Sequence, residues 1–316
     1  MAASRVRTAS DGRGISVCFM SPPPPFAPNR APATIVNLNQ FLSPAAALGA
    51  AATLGVADFT GGVAGRRTPP ASVAIGIEAI GLVALPLAIW LLPERLDPVA
   101  ALLAFTGGMI GGLGLIAFYR AMSLSLIGVV APITAVVAAA LPTAVGVMTG
   151  ERLHAGQIAG IAIGLVAIGL INRVGRGSTH GTRTAVGLAV LAGIGFGLFF
   201  ILFHAGSGAG VTAFVSGRVG SAVASLGFAL VSGVSLLPRR GTWRLLAVGG
   251  TLDGAGVVLY LYATFHGLLS LSALLTSFYP AFTVLCARLF IKERMTAMQA
   301  AGAVLALVAI ALIAVT

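Results

Sequence analysis

Long apolar stretches alternate with short polar segments from about residue 44 to the end of the chain. Ten of these stretches are about 20 residues long, enough for a helix to cross a hydrocarbon core while it satisfies its own backbone hydrogen bonds. The connecting segments are too short to hold a soluble domain. The pattern predicts ten transmembrane helices, at 44–64, 71–92, 99–119, 123–147, 154–172, 185–205, 212–237, 244–265, 269–291 and 295–315.

Residues 1–43 do not share this pattern. They contain several arginines and the run Pro22 to Pro25, and they lack the continuous apolar core of a cleavable secretory signal. We expect this segment to be a disordered tail.

A phrase in the middle of the chain returns near its end. GERLHAGQIAG, at 150–160, is matched by KERMTAMQAAG at 292–302. A shift of 142 residues aligns 151–171 with 293–313 without a gap, and 12 of the 21 positions are identical. Composition alone would give roughly two or three identities. The sequence therefore predicts two copies of one unit, at 44–172 and 185–316, joined by a linker at 173–184.

Each copy contains five predicted spans, and five is an odd number. The second copy therefore enters the bilayer from the opposite side. The expected fold is an all-α membrane protein whose ten transmembrane helices form two inverted five-helix repeats. Such repeats are typical of secondary transporters, in which two halves rock around a site near the middle of the bilayer.

The repeated unit resembles the EamA domain of the drug/metabolite transporter superfamily. The resemblance lies at 119–171 and 273–313. Each stretch contains an apolar span with a central proline, a Gly-Glu-Arg turn, a glutamine and a glycine-rich span. Two departures are Leu54-Gly55, where many relatives have Trp-Gly, and Lys-Glu-Arg in the second copy. The resemblance extends from about Ser43 to the end of the chain. It implies export or exchange of amino acids, drugs, nucleotide precursors or other small metabolites.

Residues of the repeated motif are expected to be structural. Opposite charges at a span junction can pair at the membrane interface, where arginine also reaches headgroups. Prolines inside spans delete a backbone hydrogen bond, so we expect kinks at Pro86, Pro132, Pro142 and Pro280. The motif residues assigned this structural role are Glu151, Arg152, Gln157, Glu293, Arg294 and Gln299.

Charged residues inside spans are more informative, because each costs about 2.5–3.5 kcal/mol at a helix centre unless it is paired or hydrated. Asp253 is the most central. Glu78 aligns through the repeat with Gly220, close to Arg218, so we expect Glu78 and Arg218 to face each other. An interfacial charge that reaches water remains the alternative for Asp58 and Arg218. The candidates for substrate binding or coupling are Asp58, Glu78, Arg218, Asp253, Tyr260 and Tyr279.

These deep sites hold more acidic than basic residues. A cationic or zwitterionic substrate is therefore expected, or a coupling proton carried by Asp253 in exchange for substrate. The expected partners are the lipid bilayer and this small-molecule substrate.

Composition and charge exclude other classes. The chain is 58% hydrophobic and only 9% charged, against about 25% charged in soluble domains. The net charge of +11 does not indicate nucleic acid, because the arginines are spread through short loops. Two cysteines, four dispersed histidines and the absence of nucleotide or nucleophile motifs predict no metal, no cofactor and no enzyme. A channel or a non-transporting scaffold remains the alternative to a transporter. A membrane-embedded enzyme is less favoured, because it should show His, Asp or Glu clustered at helical spacing on facing spans, and the charges here are scattered.

The orientation in the membrane is contested. With a cytoplasmic N-terminus, most loop arginines and lysines would lie outside, against the positive-inside rule. The resemblance implies that both termini are cytoplasmic. We adopt that orientation, for a multi-pass protein of the cell membrane, because one miscounted span would invert the tally for the loops that follow it.

Overall fold

The computed structural model describes residues 33–148, 155–173, 180–206, 209–266, 272, 275–276 and 278–315. Within these residues the regular elements are helices, and the extended pairing consists of one isolated bridge between Glu94 and Gly210. The α-helices are α1 (Ala33–Gly65), α2 (Pro70–Gly81), α3 (Leu85–Leu91), α4 (Pro98–Leu124), α5 (Ile127–Met148), α6 (Ala155–Arg173), α7 (His180–Gly206), α8 (Val211–Val231), α9 (Trp243–His266), α10 (Tyr279–Phe290) and α11 (Ala297–Val315).

Six helical segments of the described chain are long and apolar enough to cross a membrane. The prediction of an all-helical membrane protein is thus confirmed for these residues, and the predicted number of ten spans stays a prediction. The six segments are Phe41–Gly65, Pro70–Leu91, Pro98–Leu124, Arg183–Phe203, Val211–Val231 and Arg240–His266; four shorter apolar helices are Ile127–Leu141, Ile158–Ala167, Tyr279–Phe290 and Ala297–Leu312.

Helix α1 begins earlier than the sequence predicted. Residues 33–43, expected to belong to the tail, are helical. This segment carries neither charge nor glycine, so the helix continues past the membrane-spanning stretch. The remaining tail residues, 1–32, lie outside the described part of the chain.

Proline shapes the second span and the start of α10. A 3₁₀ turn, Leu82–Ala84, separates α2 from α3. Pro86 explains this break, because proline has no N–H to donate and its ring displaces the carbonyl four residues earlier. Pro280 instead lies in the first turn of α10, where a missing N–H costs nothing, so it starts a helix. Helix α5 continues through Pro132 and Pro142 without interruption.

Helix packing pairs the two halves of the chain in a reciprocal way. Helix α1 packs on α9 and α10, and its counterpart α7 packs on α4 and α5. Helix α4 contacts α8, just as α9 contacts α2. Two further contacts, α2 with α8 and α6 with α11, each join a helix to its own counterpart. These contacts are therefore preserved when the halves are exchanged.

Two buried threonines, one in each half, make equivalent hydrogen bonds to the other half. Thr134 Oγ1 donates to the carbonyl oxygen of Ala189 at 3.0 Å, and Thr276 Oγ1 donates to that of Ala47 at 3.3 Å. Both threonines, and both alanines, are separated by the 142-residue shift. The second hydrogen bond thus repeats the first with the roles of the halves reversed.

Glycines allow the closest helix approaches. A Cβ added to Gly108 of α4 would collide with the carbonyl oxygen of Gly217 on α8, and one added to Gly254 of α9 would collide with that of Gly81 on α2. Small residues at such crossings are the usual means by which membrane helices pack backbone to backbone.

The α4–α8 crossing gives a direct test of this packing. Gly108→Ala should force the two backbones apart, and overpacking of this kind costs about 1–3 kcal/mol. We expect a lower melting temperature for the purified protein in detergent. Gly227→Ala is the matched control, since nothing lies within 4 Å of a Cβ there. Equal melting temperatures for the two variants would contradict the proposed tight crossing.

Candidate functional site

Arg218 of α8 forms the centre of a buried charge cluster. Its Nη1 atom lies 2.9 Å from Glu78 Oε2 on α2 and 2.5 Å from Asp253 Oδ2 on α9. The Arg218 side chain is only 5% exposed. The expected approach of Glu78 to Arg218 is therefore present, and one guanidinium links α2 of the first half to α8 and α9 of the second.

Local sequence makes room for this guanidinium and holds its partner. A Cβ on Gly81 would lie 2.6 Å from Arg218 Nη1, so a larger residue at this point of α2 would displace the charge. Ser221 Oγ donates to Glu78 Oε1 at 2.8 Å. Ser221 follows Arg218 by three residues and so shares its helix face. Sequence reasoning missed Ser221, although this spacing was a signal that could have found it.

The three ion-pair partners differ in access. The Asp253 side chain is 20% exposed and that of Glu78 is 11% exposed. The Arg218 Nη2 atom is buried without a hydrogen-bond partner among the described residues, and the guanidinium carbon lies 5.4 Å from the ring centroid of Phe214. Asp253 is thus the partner most open to a ligand, and Arg218 keeps an unused donor.

Asp58 of α1 lies near this cluster but outside its ion pairs. Asp58 is half-buried, and its charge is repelled by that of Asp253. Tyr119, fully buried against Gly61 of α1, and Tyr279, half-buried at the start of α10, lie within electrostatic range of Asp58. The cluster therefore extends from α2, α8 and α9 toward α1.

Tyr260 is the candidate that the structure leaves apart. It lies two turns beyond Asp253 on α9, half-buried, and takes no part in the ion pairs around Arg218. The substrate-binding role of all six candidates stays a prediction.

The repeated motif explains a different contact between the halves. Glu293 Oε1 accepts from the backbone N–H of Ile127 at 3.1 Å, and Oε2 accepts from that of Gly128 at 2.9 Å. Arg66 Nη2, at the end of α1, lies 3.0 Å from Oε1. We call these residues the Glu293 clamp. A second-half carboxylate thus caps the N-terminus of α5 in the first half, where helix N–H groups favour a negative charge.

The residue before Glu293 explains the Gly-Glu-Arg pattern. Lys292 has a φ of 51°, the left-handed conformation that commonly ends a helix and favours glycine. The Glu293 N–H donates back to the carbonyl oxygen of Ala287 at 3.1 Å and closes the end of α10. Gly150 occupies the equivalent position in the first copy, so Lys292 is the strained variant of the pattern.

The other motif residues are placed as follows. Gln299 Oε1 accepts from the N–H of Thr296 at 2.9 Å, while Thr296 Oγ1 accepts from the N–H of Gln299 at 3.3 Å, a reciprocal cap at the start of α11. Arg294 is exposed. Glu151 and Arg152 lie outside the described residues, as does the side chain of Gln157 on α6.

Comparison with known proteins agrees with the resemblance drawn from the motifs. The EamA-like transporter family matches residues 183–315. A protein of known crystal structure superposes with a TM-score of 0.57 at 16% identity, over 87% of this chain and 96% of that one. This likeness shows a shared fold across both halves. The curated proteins give no significant match.

The Glu293 clamp is testable by neutralisation. Glu293→Gln keeps the side-chain length but removes the charge, so it cannot pair with Arg66 and accept from both N–H groups. We expect a loss of about 1–3 kcal/mol of stability, the usual cost of leaving buried donors unpaired. Melting temperature in detergent is the measurement, with exposed Arg294→Gln as the control. A Glu293→Gln variant as stable as this control would show that the clamp contributes nothing.

Proposed function

We propose that the chain is a multi-pass secondary transporter that exports or exchanges a small metabolite, amino acid or drug-like compound by alternating access. The buried cluster around Arg218, shared by both halves of the chain, is the observation that carries this proposal. Its residues line the junction at which two rocking halves would expose a site to each side in turn.

The reciprocal packing supports an inverted repeat. Counting α2 and α3 as one span, each half contributes five helices, including the four shorter apolar ones. The matched hydrogen bonds of Thr134 and Thr276 are those expected of two copies related by a twofold axis. Because five is odd, that axis lies in the plane of the membrane.

The charges of the cluster are not part of the repeat. If the duplicated fold required them, they would occur in both copies, yet the 142-residue shift places apolar residues at the corresponding positions. The repeated fold alone therefore does not account for these charges, and substrate binding or coupling would explain why they are present inside the bundle. The counterparts of Asp58, Glu78, Arg218 and Asp253 are Phe200, Gly220, Gly76 and Gly111.

The charge balance of the cluster favours a positively charged cargo. Asp58, Glu78 and Asp253 carry three carboxylates, whereas Arg218 supplies one guanidinium. Excess negative charge in a medium of low dielectric is unfavourable until a cation neutralises it. A cationic or zwitterionic substrate would provide this neutralisation, and so would a proton that is exchanged for substrate.

Asp253 is the residue at which this exchange takes place in our proposal. The Asp253 side chain is more exposed than that of Glu78, whose carboxylate is held in place by Ser221 and Arg218. A cation or proton arriving at Asp253 would release Arg218 from α9 while Arg218 kept its contact with α2. Binding would thereby break the ionic link between α8 and α9 and keep the link between α8 and α2.

The replacement Asp253→Asn tests the coupling role. The amide keeps the size and hydrogen bonding of aspartate but cannot gain and lose a proton. We expect normal insertion, loss of gradient-driven accumulation in proteoliposomes, and a smaller effect on substrate exchange. The substrate is first identified by counterflow with amino acids, nucleosides and cationic drugs.

Asp97→Asn is the matched control, because Asp97 caps α4 through Val99 and Ala100 and asparagine also caps helices. If Asp253→Asn accumulates substrate as well as the parent does, the coupling role is wrong. Flux that ignores ion gradients and shows no counterflow would favour a channel, and the absence of any flux would favour a scaffold.

A further inference from the structure

Hydrogen bonds between loops define one end of the helix bundle. The backbone N–H of Arg239 donates to Thr68 Oγ1 at 3.1 Å, and Ser72 Oγ donates to the carbonyl oxygen of Ser235. The Glu293 clamp joins the end of α1 and the start of α5 to the segment before α11. We call this the basic end, made of residues 65–72, 120–128, 235–244 and 288–296 and of the start of α7 at 180–183. Helix α7 begins there because its other terminus, Gly206, packs on Ala100, at the end of α4 away from Arg120.

A second set of contacts defines the opposite end. The N–H of Val211 donates to the carbonyl oxygen of Pro93 at 3.2 Å, next to the bridge between Glu94 and Gly210. Ser43 Oγ donates to the carbonyl oxygen of Ala263 at 2.9 Å, which places the membrane entry of α1 beside the last turns of α9. Helix α11 begins at the basic end and runs away from it, so its C-terminus lies at the opposite end.

Basic side chains are concentrated at the basic end. Apart from Arg95 and the buried Arg218, every lysine and arginine whose side chain the structure describes lies there and is exposed. The opposite end shows Arg95 between Glu94 and Asp97, and of the tail arginines only Arg30 lies within about 15 residues of the first span. The exposed basic side chains are Arg66, Arg67, Arg120, Arg183, Arg239, Arg240, Arg244, Arg288, Lys292 and Arg294.

The two tryptophans of the chain lie at the two ends of the bundle. Trp243, 44% exposed, begins α9 among Arg239, Arg240 and Arg244, and Trp90, 79% exposed, ends α3. Exposed tryptophan is typical of the boundary between headgroups and hydrocarbon. The exposed arginines around Trp243 therefore lie at headgroup depth.

We propose that the basic end lies in the cytoplasm against the anionic headgroups of the inner leaflet. Lysine and arginine near short loops are retained on the cytoplasmic side, where anionic lipid attracts them. The N-terminus of α1 and the C-terminus of α11 then face outside, opposite to the orientation that the family resemblance implies. The sequence argument followed the resemblance and set the charge count aside because a span could have been miscounted. The hydrogen bonds group the basic loops at one end without any count of spans.

Cysteine accessibility in intact cells tests the orientation. In a background with Cys18→Ser and Cys286→Ser, Leu96→Cys places a thiol at the opposite end, at a position 85% exposed. Gly241→Cys places one at the basic end, where nothing lies within 4 Å of a Cβ. A membrane-impermeant maleimide should label Leu96→Cys in intact cells and Gly241→Cys only after permeabilisation. The reverse result, or equal labelling of both thiols from outside, overturns the proposal.

Tryptophan quenching in vesicles tests the lipid partner separately, and it does not depend on orientation. The Trp90→Phe variant reports only on Trp243, and Trp243→Phe reports only on Trp90. At equal mole fraction, brominated phosphatidylglycerol should quench Trp243 at least twofold more than brominated phosphatidylcholine. High salt should remove the difference, because charges are screened within about 3 Å at 1 M. Equal quenching of Trp243 by the two lipids, or the same preference at Trp90, contradicts an anionic-lipid surface at the basic end.

Discussion

The ion pairs of Arg218 with Glu78 and Asp253 are the constraint around which this part of the bundle is arranged. A guanidinium inside a membrane protein is tolerated only when carboxylates and hydrogen bonds replace its lost hydration. Both carboxylates must reach the same Nη1 atom, so α2, α8 and α9 have to approach closely. The glycine at Gly81 of α2 follows from this requirement, because any Cβ there would meet the guanidinium.

Comparing the two halves of the chain distinguishes residues that serve the fold from residues that serve the candidate site. Thr134 and Thr276 occur in both copies, make equivalent hydrogen bonds across the halves and contribute to packing. Glu78 and Arg218 each align with glycine in the other copy. One half therefore serves as an internal reference for the other. A feature present in both copies belongs to the scaffold, and a charge present in only one calls for a functional explanation.

Sequence reasoning reached the helices and the meeting of Glu78 with Arg218, because the first depends on periodicity and the second on the 142-residue shift. It did not find that Arg218 also pairs with Asp253, since both lie in the same copy and the repeat gives no information about their distance. The contact by which Glu293 caps the N-terminus of α5 could not be predicted from the sequence either. Its partners are backbone N–H groups from the other half, which become neighbours only when the chain folds.

The Arg218 cluster and the Glu293 clamp join the halves at different depths, and this difference has a mechanical consequence for the transport that we propose. In the inverted repeat that we propose, α2 and α8 exchange places, so their contact would lie on the twofold axis, where rocking halves move least. The pair Glu78–Arg218 can persist there. The Glu293 clamp lies at the basic end, where the displacement is largest, and its hydrogen bonds to α5 are too short to survive separation of the halves. Opening toward the basic end therefore requires the clamp to break, whereas the ionic link at the centre can keep the halves together.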